Sequence, residues 1–139
     1  MFSLSVPVIA TVIGEGGSGG ALGIGIGNKI LILENAYYSV ITPEGCAAIL
    51  WKDRAFTAKA AESLRLTAKD LKELGIVDEI VKEPLGGAHQ DHDATAAALK
   101  KALKKNLAEL GMMPPGELKK QRYDKYRNIG VFTEISAEK

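Results

Sequence analysis

Val12-Ile13-Gly14-Glu15-Gly16-Gly17-Ser18-Gly19-Gly20-Ala21-Leu22-Gly23-Ile24-Gly25-Ile26-Gly27 holds eight of the fifteen glycines of this 139-residue chain. Upstream of it, Val6 to Ile13 is β-branched and almost continuously apolar, the pattern of a strand buried on both faces. Glycine costs about 1 kcal/mol against alanine in a helix interior. So dense a run therefore marks a backbone that turns sharply, packs closely, or brings bare N–H groups up to a ligand.

Outward from the run, elements alternate. Lys29–Leu33 and Tyr37–Ile41 read as short strands joined through Glu34-Asn35-Ala36. Thr42-Pro43-Glu44 has the composition of a helix start, with Thr42 as N-cap, Pro43 at the first helical position and Glu44 at the positive end; this helix runs to about Trp51. Thr57–Leu66 is a second helix, and Thr67 opens a third that Gly75 closes. Ile76–Val81 returns as a strand and Pro84–Ala88 is a loop. Asp91 or Asp93 begins the longest helix, to about Leu110, with Leu99, Leu103, Leu107 and Leu110 on one stripe. A basic helix follows over about 117–128, and the chain past Gly130 reads as frayed. The alternation predicts an α/β fold. Opening inside what reads as a central strand, the chain is expected to lack upstream structure, as a truncated product or fragment would, and to fold marginally alone.

Composition narrows the class. With 46% hydrophobic and 25% charged residues and a net charge of +1, the chain reads as one modest soluble domain. No apolar run approaches the roughly 20 residues that span a bilayer, and no basic segment precedes the first apolar stretch as in a secretory signal. Cys46, the single cysteine, excludes an internal disulfide and a multi-cysteine metal site. A cytoplasmic compartment is expected. Residues 1–99 carry 8 Lys/Arg against 12 Asp/Glu, and residues 100–139 carry 10 against 5. The surplus is either a solvated helical face or a surface for an anionic partner such as a nucleotide-bearing ligand, another subunit or nucleic acid.

The glycine run admits three readings. Gly14-x-Gly16-x-x-Gly19, with Glu34 twenty positions after Gly14, meets the Rossmann spacing. A crossover squeezed between Gly20 and Asn28, through three more glycines, is too short for that fold. Alternatively, bare N–H groups at a strand-to-helix turn stabilise negative charge developing on a carbonyl oxygen. Or the glycines only let a short helix pack tightly.

The segment Val12–Leu22 closely resembles part of the α subunit of bacterial-type acetyl-CoA carboxylase carboxyltransferase. So do Tyr38–Trp51 and Glu83-Pro84-Leu85-Gly86-Gly87-Ala88-His89. The resemblance is strong over residues 6 to about 110, looser over Leu118–Gly130, and corresponds to the C-terminal half of that subunit. It implies part of a crotonase-like ββα superhelix over residues 1–110, with 111–139 as a basic helical tail. It also implies transfer of a carboxyl group from carboxybiotin, held on a biotin carboxyl carrier protein, to acetyl-CoA, giving malonyl-CoA for fatty acid synthesis. A β subunit completes the site across a hetero-oligomeric interface and carries the zinc, so no metal is implied here. By the same resemblance, the backbone N–H groups of Gly19 and Gly20 form an oxyanion hole for the biotin ureido oxygen. Gly16, Gly17 and Ala21 shape the binding turn. Three functional classes stay open: active carboxyltransferase part, inactive interaction or structural module, and Rossmann-type binder.

Among single residues, Glu15 reads as an ion-paired structural carboxylate and Cys46 as a buried, inert thiol. Trp51, Tyr37 and Tyr38 read as core or interface anchors, and His89 and His92 as loop residues rather than ligands. The Lys and Arg of the tail read as solvated.

Overall fold

The computed structural model describes residues 1–131. The remainder of the tail, including most of the stretch read as frayed, lies outside the described residues. Two parallel sheets are laid down alternately along the chain. Strands β1 (Ile9–Val12), β3 (Lys29–Leu33) and β5 (Glu79–Val81) form one, in the order β1-β3-β5, with Val12 opposite Ile32 and Ile32 opposite Ile80. Strands β2 (Glu15–Gly17) and β4 (Tyr37–Ser39) form the other, with Gly16 opposite Tyr38. Helix α1 (Ser18–Ile24) follows β2, and helix α2 (Pro43–Leu50) follows β4. Each unit is therefore strand, strand, helix.

The centre is β3, whose Ile30, Leu31, Ile32 and Leu33 are all at most 3% exposed. The burial expected of Val6–Ile13 on both faces is not seen. Strand β1 is the edge of its sheet, half-buried throughout, and Val6 and Ile13 on either side of it are exposed. An apolar β-branched run looks the same at a centre and at an edge that lines a groove.

The helix starts follow local chemistry. Thr42 Oγ1 accepts from Gly45 N–H at 3.2 Å, with Pro43 at the first helical position. A 3₁₀ turn (Arg54–Phe56) leads into α3 (Thr57–Leu64), which packs on α2 through Cys46, Ala47 and Ala60. Thr67 Oγ1 accepts from Asp70 N–H at 3.3 Å to open α4 (Ala68–Glu73), and Gly75 follows it at φ +71°. The next strand is shorter than Ile76–Val81 because the Ile76 and Val77 N–H groups donate to Leu71 O at 2.9 and 3.3 Å, winding those residues onto the end of α4.

Helix α5 (His92–Gly111) is capped by Asp91, whose Oδ1 accepts from Ala94 N–H at 2.8 Å. Its buried face is Thr95, Ala102, Asn106 and Leu110, while Leu107 is 48% exposed. Each four-residue step turns a helix about 40° past a full revolution. A stripe of leucines spaced by four therefore drifts off the face that began at Thr95.

Helix α6 (Pro115–Arg127) corrects the expectation of a solvated tail. Arg122 is fully buried, and its guanidinium donates to the carbonyls of Met1, Phe2, Leu4 and Val6 at 2.7–3.2 Å and to Asn28 Oδ1 at 2.6 Å. Lys125 pairs with Asp78, which also accepts from Ile30 N–H at 2.6 Å. The helix thus closes back over the first eight residues and the entrance to β3.

Candidate functional site

The chain leaves β1 at Val12, turns through Ile13 and Gly14, runs along β2 and enters α1. Gly17 caps that helix in extended conformation, and Ser18 takes φ +66°, a left-handed backbone unusual for a residue with a side chain. The first-turn N–H groups of a helix have no partner within it; here Ser18, Gly19 and Gly20 carry them, and the first intrahelical bond closes from Ala21 N–H to the carbonyl of the cap, Gly17. A groove of about 520 Å³ runs beside the turn, bounded by β1, Glu15, Ile24 and Tyr38.

The glycines separate into two kinds when a Cβ is placed on each. At Gly16 it would lie 2.7 Å from the Tyr38 ring and 3.1 Å from Val12 Cγ1. At Gly27 it would lie 2.9 and 3.0 Å from the carbonyls of Val8 and Lys29, and at Gly25 it would run into the Tyr38 hydroxyl. These three are glycines because the fold has no room. At Gly14, Gly17, Gly19 and Gly23 nothing lies within 4 Å, and at Gly20 only Ser18 Oγ does, at 3.9 Å. None of these five has a positive φ. Neither packing nor backbone geometry within the described residues asks for glycine there.

Of the five residues singled out from sequence, Gly16, Gly17 and Ala21 line the groove, whereas Gly19 and Gly20 stand exposed on the adjoining first turn of α1. Gly16 is a packing glycine. Ala21 is a junction: its carbonyl accepts from Tyr38 Oη at 2.9 Å and from Gly25 N–H at 2.8 Å.

Glu15 departs from expectation. It is exposed and makes no ion pair among the described residues. It faces Tyr37, whose phenol is pushed up by burial and then by the Glu15 charge. Cys46 is buried. His89 and His92 border a separate apolar recess of about 380 Å³ with Ile13 and Leu99. No group of three or more His, Cys, Asp or Glu among the described residues is placed to hold a metal ion, and no described helix is long and apolar enough to cross a membrane.

Two features escaped the sequence reading. Tyr126 Oη donates to Gly25 O at 2.8 Å and accepts from Gly27 N–H at 2.9 Å, gripping the exit of α1 from the far end of the chain. Nothing local announces that contact. Ser18 did leave a signal: Gly16-x-Ser18-x-Gly20 between a strand and a helix is the pattern of a strained turn that exposes a serine. No described residue hydrogen-bonds to Ser18 Oγ, so the turn has that geometry without the base that would activate a nucleophile.

The chain spans about two-fifths of the length of the curated relatives it matches. It is 58% identical over 134 residues to the acetyl-coenzyme A carboxylase carboxyl transferase subunit alpha of Desulfitobacterium hafniense, covering 96% of this chain and 42% of that protein. It is 60% identical over 134 residues to the subunit of the same name from Crocosphaera subtropica, covering 96% and 40%. Among solved structures, a chain of the Pseudomonas malonate decarboxylase hetero-tetramer in complex with coenzyme A superposes with a TM-score of 0.62 at 13% identity, over 84% of this chain and 45% of that one. A likeness at that identity speaks to fold alone: the α/β architecture is a partial crotonase-like ββα superhelix followed by C-terminal helices. The profile described as acetyl co-enzyme A carboxylase carboxyltransferase-like matches residues 1–130, and the chain belongs to that family.

Proposed function

We propose that this chain is part of the α side of a biotin-dependent carboxyltransferase, acting in the cytoplasm to form malonyl-CoA from acetyl-CoA. It does so in a hetero-oligomer with a β-type subunit, which completes the site, and a biotin carboxyl carrier protein. Residues 1–110 carry the site, and within the basic tail of residues 111–139 helix α6 braces it.

One observation supports this above the others: five glycines around a strand-to-helix turn have no reason to be glycine within the described chain. Bare backbone there lets a bulky group come within hydrogen-bond reach of N–H donors. The neighbouring groove, with apolar residues of β1 on one side, has the size and character for a compact bicyclic ring. Carboxybiotin, when bound, supplies the carboxyl group. This chain's part is to hold a carbonyl-type oxygen while negative charge builds on it. Gly19 and Gly20 N–H are the donors, and Gly16, Gly17 and Ala21 shape the approach. Losing one such donor costs about 3–4 kcal/mol of barrier. Glu15, exposed at the mouth, is not required to take a proton in this scheme.

The test is the reverse reaction, malonyl-CoA with free biocytin, using the chain plus a β-type subunit beside a full-length α subunit as positive control. Turnover is expected. Gly19→Val, at a position where a Cβ meets nothing within 4 Å in the chain itself, should abolish turnover and leave thermal unfolding nearly unmoved. Binding to the β-type subunit with no turnover beside an active control would instead assign the chain an interaction role. Full activity in Gly19→Val would remove the oxyanion role.

A further inference from the structure

Helix α1 poses a mechanical problem. It has seven residues, three of them glycine, and buries none of its side chains. Isolated helices below about 12–15 residues are marginal even with good helix formers. Yet the site proposed above needs the first turn of α1 held still, because misplacing donors by an ångström weakens them severely. Of its side chains only Ala21, half-buried, packs on the core, which leaves most of the helix for something else to hold.

Two hydroxyls do. Tyr38, buried on β4, donates to the carbonyl of Ala21 at 2.9 Å. Tyr126, on α6, donates to the carbonyl of Gly25 at 2.8 Å and accepts from the N–H of Gly27 at 2.9 Å. The two grips converge on one turn, since Gly25 N–H itself donates to Ala21 O at 2.8 Å. Gly25 lacks a side chain at the point where a Cβ would strike the Tyr38 hydroxyl, so its identity is what lets the first phenol reach the helix. With both ends of that turn fixed, the helix's own hydrogen bonds carry the constraint to its first turn, which begins next to Ala21: Gly19 is only about 3 Å away along the axis at 1.5 Å per residue.

We propose that Tyr38 and Tyr126 are positioning residues for the glycine-turn helix, acting through their hydroxyls on its carbonyls. This rests on the role given above to the first turn of α1. Burial raises both phenols above their ordinary value, so each stays protonated and able to donate across the neutral range. The arrangement also gives the tail a task in the reaction: a residue 99 positions beyond Gly27 sets the geometry of the turn.

The experiment compares Tyr38→Phe, Tyr126→Phe and the double variant with the parent, each assembled with a β-type subunit. Phenylalanine keeps the rings, including the edge-on contact of Phe2 with Tyr126, and removes only the hydroxyls. Tyr123→Phe is the control, a 58% exposed tyrosine on the same helix. Amide hydrogen exchange over residues 18–27 is read alongside kcat and KM for malonyl-CoA. Each single variant is expected to speed exchange there by about tenfold, the worth of one net hydrogen bond. Each should also lower kcat by a similar factor, with KM within about twofold. The double variant should lose less than the product of the singles, because both hydroxyls hold one turn. Tyr123→Phe should change neither reading. Unchanged exchange over 18–27 in both singles overturns the proposal, as does faster exchange with unchanged kcat. An inactive parent beside an active full-length control tells against the carboxyltransferase reading instead, and exchange still decides whether the tyrosines hold the helix.

Discussion

Glycine does two unrelated jobs within fourteen residues, and only the space around each tells them apart. At Gly25, alanine would press on the Tyr38 hydroxyl and on the Ala21 carbonyl 3.0 Å away. Gly25→Ala should therefore destabilise the fold by about 1–3 kcal/mol, as overpacking does, and appear as a Tm several degrees lower. Gly17→Ala meets nothing within 4 Å and sits at φ −125°, which any residue adopts; its Tm should match the parent's. Equal losses in the two variants would mean that the two kinds of glycine are not distinct. The clustering was plain in the sequence. The sorting was not, because the neighbours that separate Gly25 from Gly17 arrive from β4.

Elements were legible in proportion to how local their causes are. Thr42-Pro43 and Thr67 start their helices through hydrogen bonds three residues long, and both starts fall where capping chemistry puts them. Strand β2 escaped notice because Glu15-Gly16-Gly17 has no strand character of its own and is extended by its ladder with Tyr37–Ser39. The loop after β5 is likewise a long-range object. Glu83 accepts from Asn35 N–H at 2.9 Å, Asn35 Nδ2 at 3.1 Å and Ala88 N–H at 2.7 Å, tying the turn after β3 to Pro84–Ala88. Burial pushes this carboxyl up, but the hydrogen bonds from Asn35 and Ala88, helped by His89, outweigh it and hold it below the usual glutamate range. A depressed carboxyl contributes stability above its unfolded pKa, near 4.3, and loses it as pH falls through the folded value. Between pH 6 and pH 3 the parent's urea midpoint should therefore fall further than that of Glu83→Gln. Parallel declines would show that the carboxylate's charge does not matter to the loop.

Across the whole molecule, the excess of positive charge beyond residue 100 is partly consumed inside. Lys125 serves Asp78, Lys105 serves Glu79, and Arg122 leaves solvent altogether. Charge counts cannot reveal this, since a buried arginine whose partners are carbonyls looks like any other in a basic helix. Arg122 has no carboxylate partner among the described residues, and its Nε is without a hydrogen bond. Arg122→Met would keep the aliphatic bulk but leave the part-buried carbonyls of Phe2, Leu4 and Val6 without this donor, while Met1 O and Asn28 Oδ1 keep the N–H groups of Leu4 and Val8; an acceptor that water cannot reach costs about 1–3 kcal/mol. We expect a loss of about 3 kcal/mol or more in denaturant unfolding, with the first eight residues cleaved faster by protease. A loss under about 1 kcal/mol would show that the clasp adds little.

On the leading segment that clasp touches main chain only. Arg122 holds Met1, Phe2, Leu4 and Val6 by their carbonyl oxygens, which every amino acid possesses, while the side chains of Leu4 and Val6 point substantially into solvent. Apart from the ring of Phe2 on Tyr126, the grip is indifferent to spelling. Ser3 to Val6 can be rewritten almost at will so long as the path of the backbone is kept, which makes this leading segment the place where the chain can diverge, or be relabelled by an experimenter, at least cost to the site it encloses.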